Sequence, residues 1–80
     1  MDTNQVLQKV QEIFRDVLDN DDIVLNENTV AKDVEEWDSL SHIQLVVALE
    51  KHFGVKFTTG EISSWKNVGD MLKAIIAKKG

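Results

Sequence analysis

A serine hydroxyl stands between an aspartate and a leucine at Asp38-Ser39-Leu40, where a stretch rich in acids meets the start of a regular apolar pattern. Two chemistries are open to such a hydroxyl. In one it is a nucleophile served by a base, and His42, three residues on, falls on the same helical face. No glycine-rich elbow surrounds Ser39 and no oxyanion loop accompanies it, so a hydrolytic pair is not expected, and His42 and His52 read as solvated surface residues. In the other chemistry the hydroxyl is a handle for a group that another enzyme supplies. Asp38 is suited to cap the free N–H groups of a first helical turn, which leaves Ser39 at the first helical position with its hydroxyl near solvent. Leu40 is then expected to point into the core and fix the register. A phosphate ester at Ser39 would sit at the positive end of the helix dipole, among backbone donors that favour anions. Asp-Ser is also among the commonest helix caps, so the tripeptide alone decides nothing.

Composition narrows the field. At 80 residues the chain is read as one domain, residues 1–80, too small for a large cleft with several convergent catalytic groups. It contains no cysteine, so any thiol chemistry must come from a cofactor, and thiolate metal sites and disulfides are excluded. The acids Asp19, Asp21 and Asp22 suggest a calcium loop, but the positions that should hold an oxygen ligand, a glycine and a bidentate acid are Ile23, Val24 and Val30, so no metal site is expected. The N-terminal MDTNQVLQKV has no basic region followed by an apolar run, and the expected location is the cytoplasm, without membrane insertion.

Charge is uneven along the chain. Residues 1–38 hold 11 acids against 3 bases, whereas residues 39–80 hold 3 acids against 6 bases. An acidic field of this kind repels nucleic acid and anionic lipid and speeds encounter with basic protein surfaces.

The elements that must position Ser39 follow from apolar periodicity. Val6, Leu7, Val10, Ile13, Phe14, Val17 and Leu18 recur at helical spacing, with Asp2, Thr3 or Asn4 available as the cap. From Asp19 to Asp38 the periodicity fails; this predicts a long loop pinned by Ile23, Leu25, Val30, Val34 and Trp37, the last a large apolar anchor. Leu40, Ile43, Val46, Val47, Leu49 and Phe53 predict a second helix from Ser39 to Phe53, ended by Gly54 in the left-handed region. Val55 to Phe57 is a brief extended piece, and Thr58 to Ser64 a capped single turn. Asn67, with Asp70 as its capping-box partner, opens a last helix whose Val68, Met71, Leu72, Ile75 and Ile76 face inward. The fold class is therefore all-α: a small antiparallel bundle of three main helices plus one short helix, with a long loop between helices one and two.

The stretch Glu36-Trp37-Asp38-Ser39-Leu40-Ser41-His42-Ile43-Gln44-Leu45-Val46-Val47-Ala48-Leu49-Glu50-Lys51-His52-Phe53-Gly54-Val55-Lys56-Phe57 closely resembles acyl carrier proteins. The resemblance lies in an Asp-Ser-Leu opening a helix, an aliphatic run, a Leu-Glu pair, a Phe and a short extended segment. It extends over nearly the whole chain through the order of the other elements. It implies that Ser39, flanked by Asp38 and Leu40, receives 4'-phosphopantetheine from coenzyme A in a magnesium-dependent transfer by a phosphopantetheinyl transferase. The chain would then be a carrier and not an enzyme, with acyl groups held as thioesters on the arm.

The implied partners are that transferase, an acyl-loading ligase or acyltransferase, and downstream synthase or transferase enzymes, each meeting a monomer. Val46, Val47, Leu49, Ile62 and Met71 are the expected lining for an acyl chain. Fatty-acid carriers present a run of acids on the second helix, whereas here that helix carries Gln44, Glu50, Lys51 and His52, and the acids precede it at Asp33, Glu35, Glu36 and Asp38. This departure points to a specialised carrier for a polyketide-like or other dedicated acyl pathway, with Glu35, Glu36, Gln44 and Glu50 as candidate partner contacts. A helical interaction module without a cofactor is the alternative.

Overall fold

The computed structural model describes residues 2–79, which form four α-helices and no strand. The first, α1, spans Thr3–Val17; Asp2 caps it by accepting the Asn4 N–H at 3.2 Å. Its buried face is Val6, Val10 and Phe14, the i, i+4, i+8 stripe of the sequence pattern. Helix α2 spans Ser39–Phe53 and ends at Gly54, whose φ of 67° and ψ of 38° are the left-handed stop that a side chain would resist. The short α3, Thr59–Ser64, carries a reciprocal capping box between Thr58 and Glu61. Helix α4 spans Val68–Lys79 and buries Val68, Met71, Leu72 and Ile75.

Helix α1 packs against both α2 and α4, and α3 packs against α4. The core lies where α1, α2 and α4 meet, with Phe14, Leu45, Leu49, Met71 and Ile75 fully enclosed. The long connection between α1 and α2 holds only a 3-10 turn, Ala31–Asp33, yet it is fastened throughout. Ile23, Leu25, Val34 and Trp37 are buried, and Val30 is half-buried. Backbone groups of two of these anchors are satisfied by side chains of α1: the Arg15 Nε–H donates to the Ile23 carbonyl at 2.8 Å, and Gln11 Oε1 accepts the Leu25 N–H at 2.9 Å.

The same loop serves α4. The first free N–H groups of that helix, at Val68 and Gly69, donate to the carbonyls of Thr29 at 2.9 Å and Glu27 at 2.8 Å. A Cβ on Gly69 would come within 2.9 Å of the Glu27 oxygen, so the absence of a side chain is what allows the loop to sit on the helix end. Asn67 does cap α4, accepting the Asp70 N–H at 2.9 Å. In place of the expected return bond from the Asn67 N–H, the Asp70 carboxylate accepts the Lys66 N–H, one residue earlier, at 3.0 Å.

Two expectations for α2 are corrected. Leu40 is 70% exposed, not buried, and Ile43 and Val47 are exposed with it. At about 100° per residue, a core face centred on Leu45, Val46, Leu49 and Phe53 leaves Leu40, Ile43 and Val47 on the opposite side of the helix. The apolar positions of α2 make two faces, and spacing alone merged them.

Candidate functional site

Ser39 occupies the first position of α2, exposed, in the place the sequence assigned to it. Asp38 holds the helix start by a reciprocal pair of bonds: its carboxylate accepts the Ser41 N–H at 2.8 Å, and its own N–H donates to the Ser41 hydroxyl at 2.8 Å. The Ser41 hydroxyl also donates to the Glu36 carbonyl at 2.9 Å, which ties the acidic loop to the helix. The Ser41 N–H, then the Ser41 hydroxyl, hold the Asp38 carboxyl below its ordinary value, so it is anionic at neutral pH. Ser41 thus absorbs the capping work and the Ser39 hydroxyl makes no hydrogen bond among the described residues.

Ser39 lies at the edge of a groove of about 480 Å³ whose other walls are Ala31, Trp37, Asp38, His42, Trp65, Lys66, Asn67 and Met71. An accessible hydroxyl at a helix start, beside an aromatic groove, fits a bulky phosphate-linked arm: the anion would sit at the N-terminal end of α2, and the chain that follows it has an apolar wall to lie against.

His42 is not the solvated residue that was expected. It is half-buried between two indoles, and its Nδ1 accepts the Trp37 Nε1–H at 3.0 Å. The rings of Trp37 and His42 stack with centroids 5.9 Å apart, and Trp65 stands edge-on to His42 at 6.1 Å. Burial lowers the His42 pKa below its ordinary 6.5. With Nδ1 occupied by the indole donor, the ring gives Ser39 no base on that side, and no hydrogen bond joins His42 to Ser39 among the described residues. Trp37 is buried, as its role of anchor requires, and meets Phe14 edge-on at 4.9 Å.

The other expected site residues scatter. Glu35 and Glu36 are exposed in the loop, and Glu36 Oε2 accepts from the Asn20 side-chain amide at 2.6 Å. Gln44 is exposed on α2. Glu50, read as a partner contact, is half-buried, and its Oε2 accepts the Phe57 N–H at 2.8 Å, which makes it a clasp for the segment leaving α2. Of the expected acyl lining, Val46, Leu49 and Met71 are enclosed in the core, Ile62 is half-buried, and Val47 faces outward, 43% exposed. Only Met71 reaches the groove beside Ser39. Sequence reasoning did not find Trp65, Lys66 and Asn67 as groove residues. The one signal was a Trp in a polar turn between two helices, a position where a large apolar side chain needs a reason.

Among the described residues no helix is long and apolar enough to cross a membrane. The chain matches the family model described as "Phosphopantetheine attachment site" over residues 8–75. It is 34% identical to a protein of Mycoplasma genitalium named "Acyl carrier protein homolog", across all of this chain and 99% of that one. It is 37% identical to an acyl carrier protein of Thermosynechococcus vestitus, over 94% of this chain and 93% of that one. Among solved structures it is similar to the holo acyl carrier protein from Geobacter metallireducens, with a TM-score of 0.86 and 46% identity, covering 91% of this chain and 84% of that one. The chain therefore belongs to the acyl carrier proteins: a carrier rather than an enzyme, with 4'-phosphopantetheine as its prosthetic group.

Proposed function

We propose that Ser39 is the residue that receives the arm, and that the chain carries acyl groups for a dedicated cytoplasmic pathway rather than for bulk fatty-acid synthesis. The observation that carries the first part is the free, exposed Ser39 hydroxyl at the first position of α2, spared from capping because Ser41 and Asp38 satisfy each other. In the transfer, a bond forms between the Ser39 oxygen and the phosphorus on the pantetheine side of coenzyme A, the pyrophosphate P–O bond breaks with adenosine 3',5'-bisphosphate as the leaving group, and the hydroxyl proton is taken up by the transferase. The prosthetic group supplies the thiol on which acyl groups ride. The residues of this chain present that hydroxyl, hold the helix end that faces the phosphate, and offer partners a surface.

Two features support the second part. The acids lie before Ser39, and α2 itself carries Gln44, Lys51 and His52 on its exposed positions. The same helix exposes Leu40, Ile43 and Val47 as an apolar stripe starting next to Ser39, the kind of patch that marks a contact with other proteins. A transferase, an acyl-loading enzyme or a synthase approaching Ser39 would meet this stripe, with the exposed Glu35 and Glu36 in the loop just before the helix, and basic residues around an apolar pocket would complement it.

The test is intact mass after incubation with coenzyme A, magnesium and a broad-specificity phosphopantetheinyl transferase. The native chain is expected to gain one phosphopantetheine and Ser39→Ala none. Uptake by Ser39→Ala, or none by the native chain, would overturn the assignment.

A further inference from the structure

The His42 ring is held on one edge and open on the other. Its Nδ1 accepts the Trp37 Nε1–H at 3.0 Å, so the neutral ring carries its proton on Nε2. Nε2 has no hydrogen-bond partner among the described residues, and no buried side-chain nitrogen there lacks one, so the Nε2–H opens to solvent. The groove that His42 lines is the one that Ser39 borders. Three residues apart on α2, the two have Cβ atoms about 5 to 6 Å apart, and helical side chains lean towards the N-terminus, which carries the ring back over the first turn to stack on Trp37. The charged groups on the groove are Asp38 and Lys66. The Asp38 carboxylate is engaged by the Ser41 N–H, whereas the exposed Lys66 ammonium forms no ion pair among the described residues and can offset an added anion.

Resting on Ser39 as the attachment residue, we propose that the groove seats the root of the arm: the His42 Nε2–H donates to an oxygen of the phosphodiester on Ser39, and Trp65 receives the apolar dimethyl carbon that follows it. A hydrogen bond to a charged oxygen is stronger than the bond to water that it replaces, and the half-buried indole offers apolar surface beside it. Of the ring side chains, imidazole alone can accept the Trp37 N–H and still donate outward; phenylalanine would stack but do neither. His42 thereby sets the direction in which the arm leaves the helix, while Lys66 balances the Asp38 charge beside it.

The experiment compares the full chain in its apo and holo forms by NMR, each form checked by intact mass. Failure of phosphopantetheine uptake at that step strikes the attachment assignment and not the seat. Both protonation states of His42 carry the Nε2–H, but an anion beside the ring favours the imidazolium, so the His42 titration midpoint is expected at higher pH in the holo form than in the apo form. Asp38 and Lys66 are common to both forms and cancel in the difference. His52, which lines a groove at the other end of α2, should not move. The phosphorus resonance of the holo chain is expected to follow the His42 midpoint, and the methyl groups of the arm to show contacts with the Trp65 ring. His42→Gln, which keeps a donor but does not titrate, should retain those contacts and lose the phosphorus titration; His42→Phe should lose both. If His42→Phe does not fold, the wild-type comparison decides by itself. Equal His42 midpoints in the apo and holo forms overturn the proposal, and so do arm contacts with Trp65 that are absent from the wild type or persist in His42→Phe.

Discussion

The Trp37 indole donates its N–H to Nδ1 of His42 at 3.0 Å, a bond that only a neutral imidazole can accept. Because the indole is a donor and never an acceptor, the neutral ring carries its proton on Nε2. Burial pulls the folded-state pKa of His42 below 6.5, so between that lowered value and 6.5 the unfolded chain binds more protons than the folded one. Stability is full above about pH 6.5 and falls as pH drops through that value towards the folded pKa. Urea midpoints taken between about pH 7.5 and about pH 5.5 are expected to decline for the wild type and for the exposed His52→Gln, and to decline less for His42→Asn. Equal slopes in all three would separate His42 from the pH dependence.

Leu40 and Phe53 lie on opposite faces of α2, 70% and 5% exposed. Phe53→Ala is expected to cost about 3 to 5 kcal/mol, while Leu40→Ala stays within about 0.5 kcal/mol of wild type. Denaturant unfolding of the two variants checks the assignment of faces, and a large loss for Leu40→Ala would reverse it.

Gly69→Ala sets two effects against each other. Alanine favours a helix over glycine by about 1 kcal/mol, but its Cβ would lie 2.9 Å from the backbone oxygen of Glu27. That oxygen accepts the Gly69 N–H, so it cannot retreat without breaking the hold of the loop on α4. Steric overlap wins, with a net destabilisation of about 1 to 3 kcal/mol and a lowered Tm. A Tm equal to or above that of the wild type would show that the loop yields freely.

For partner enzymes, Glu35→Lys/Glu36→Lys is expected to slow arm transfer and acyl loading at low ionic strength, with the difference shrinking as salt is added. Leu40→Ala should slow the same reactions at every salt concentration, because its contribution is apolar contact. Gln44→Lys is the comparison on α2. Glu50→Lys is unsuited to that role, since Glu50 holds the Phe57 N–H and its replacement would disturb the fold. Salt-insensitive rates in the loop variant would remove these acids from the docking surface.

Much of the molecule was legible in one dimension because the relevant physics is local. Apolar spacing gave α1 and α4, Gly54 gave the end of α2, and Thr58 with Glu61 gave α3, since caps and periodicities act over one or two turns. Asp38 and Ser39 located the start of α2 for the same reason: a helix start is defined by its own few residues. What the tertiary structure decided is what depends on residues far apart in the chain. Leu40 turned outward because the core face of α2 is chosen by α1 and α4, and two apolar faces on one helix look alike in sequence. Glu50 turned inward because the N–H of Phe57, beyond the end of its own helix, lacked a partner. His42 left the solvent because folding brings the loop carrying Trp37 and the turn carrying Trp65 to either side of it, and no spacing within α2 records that meeting.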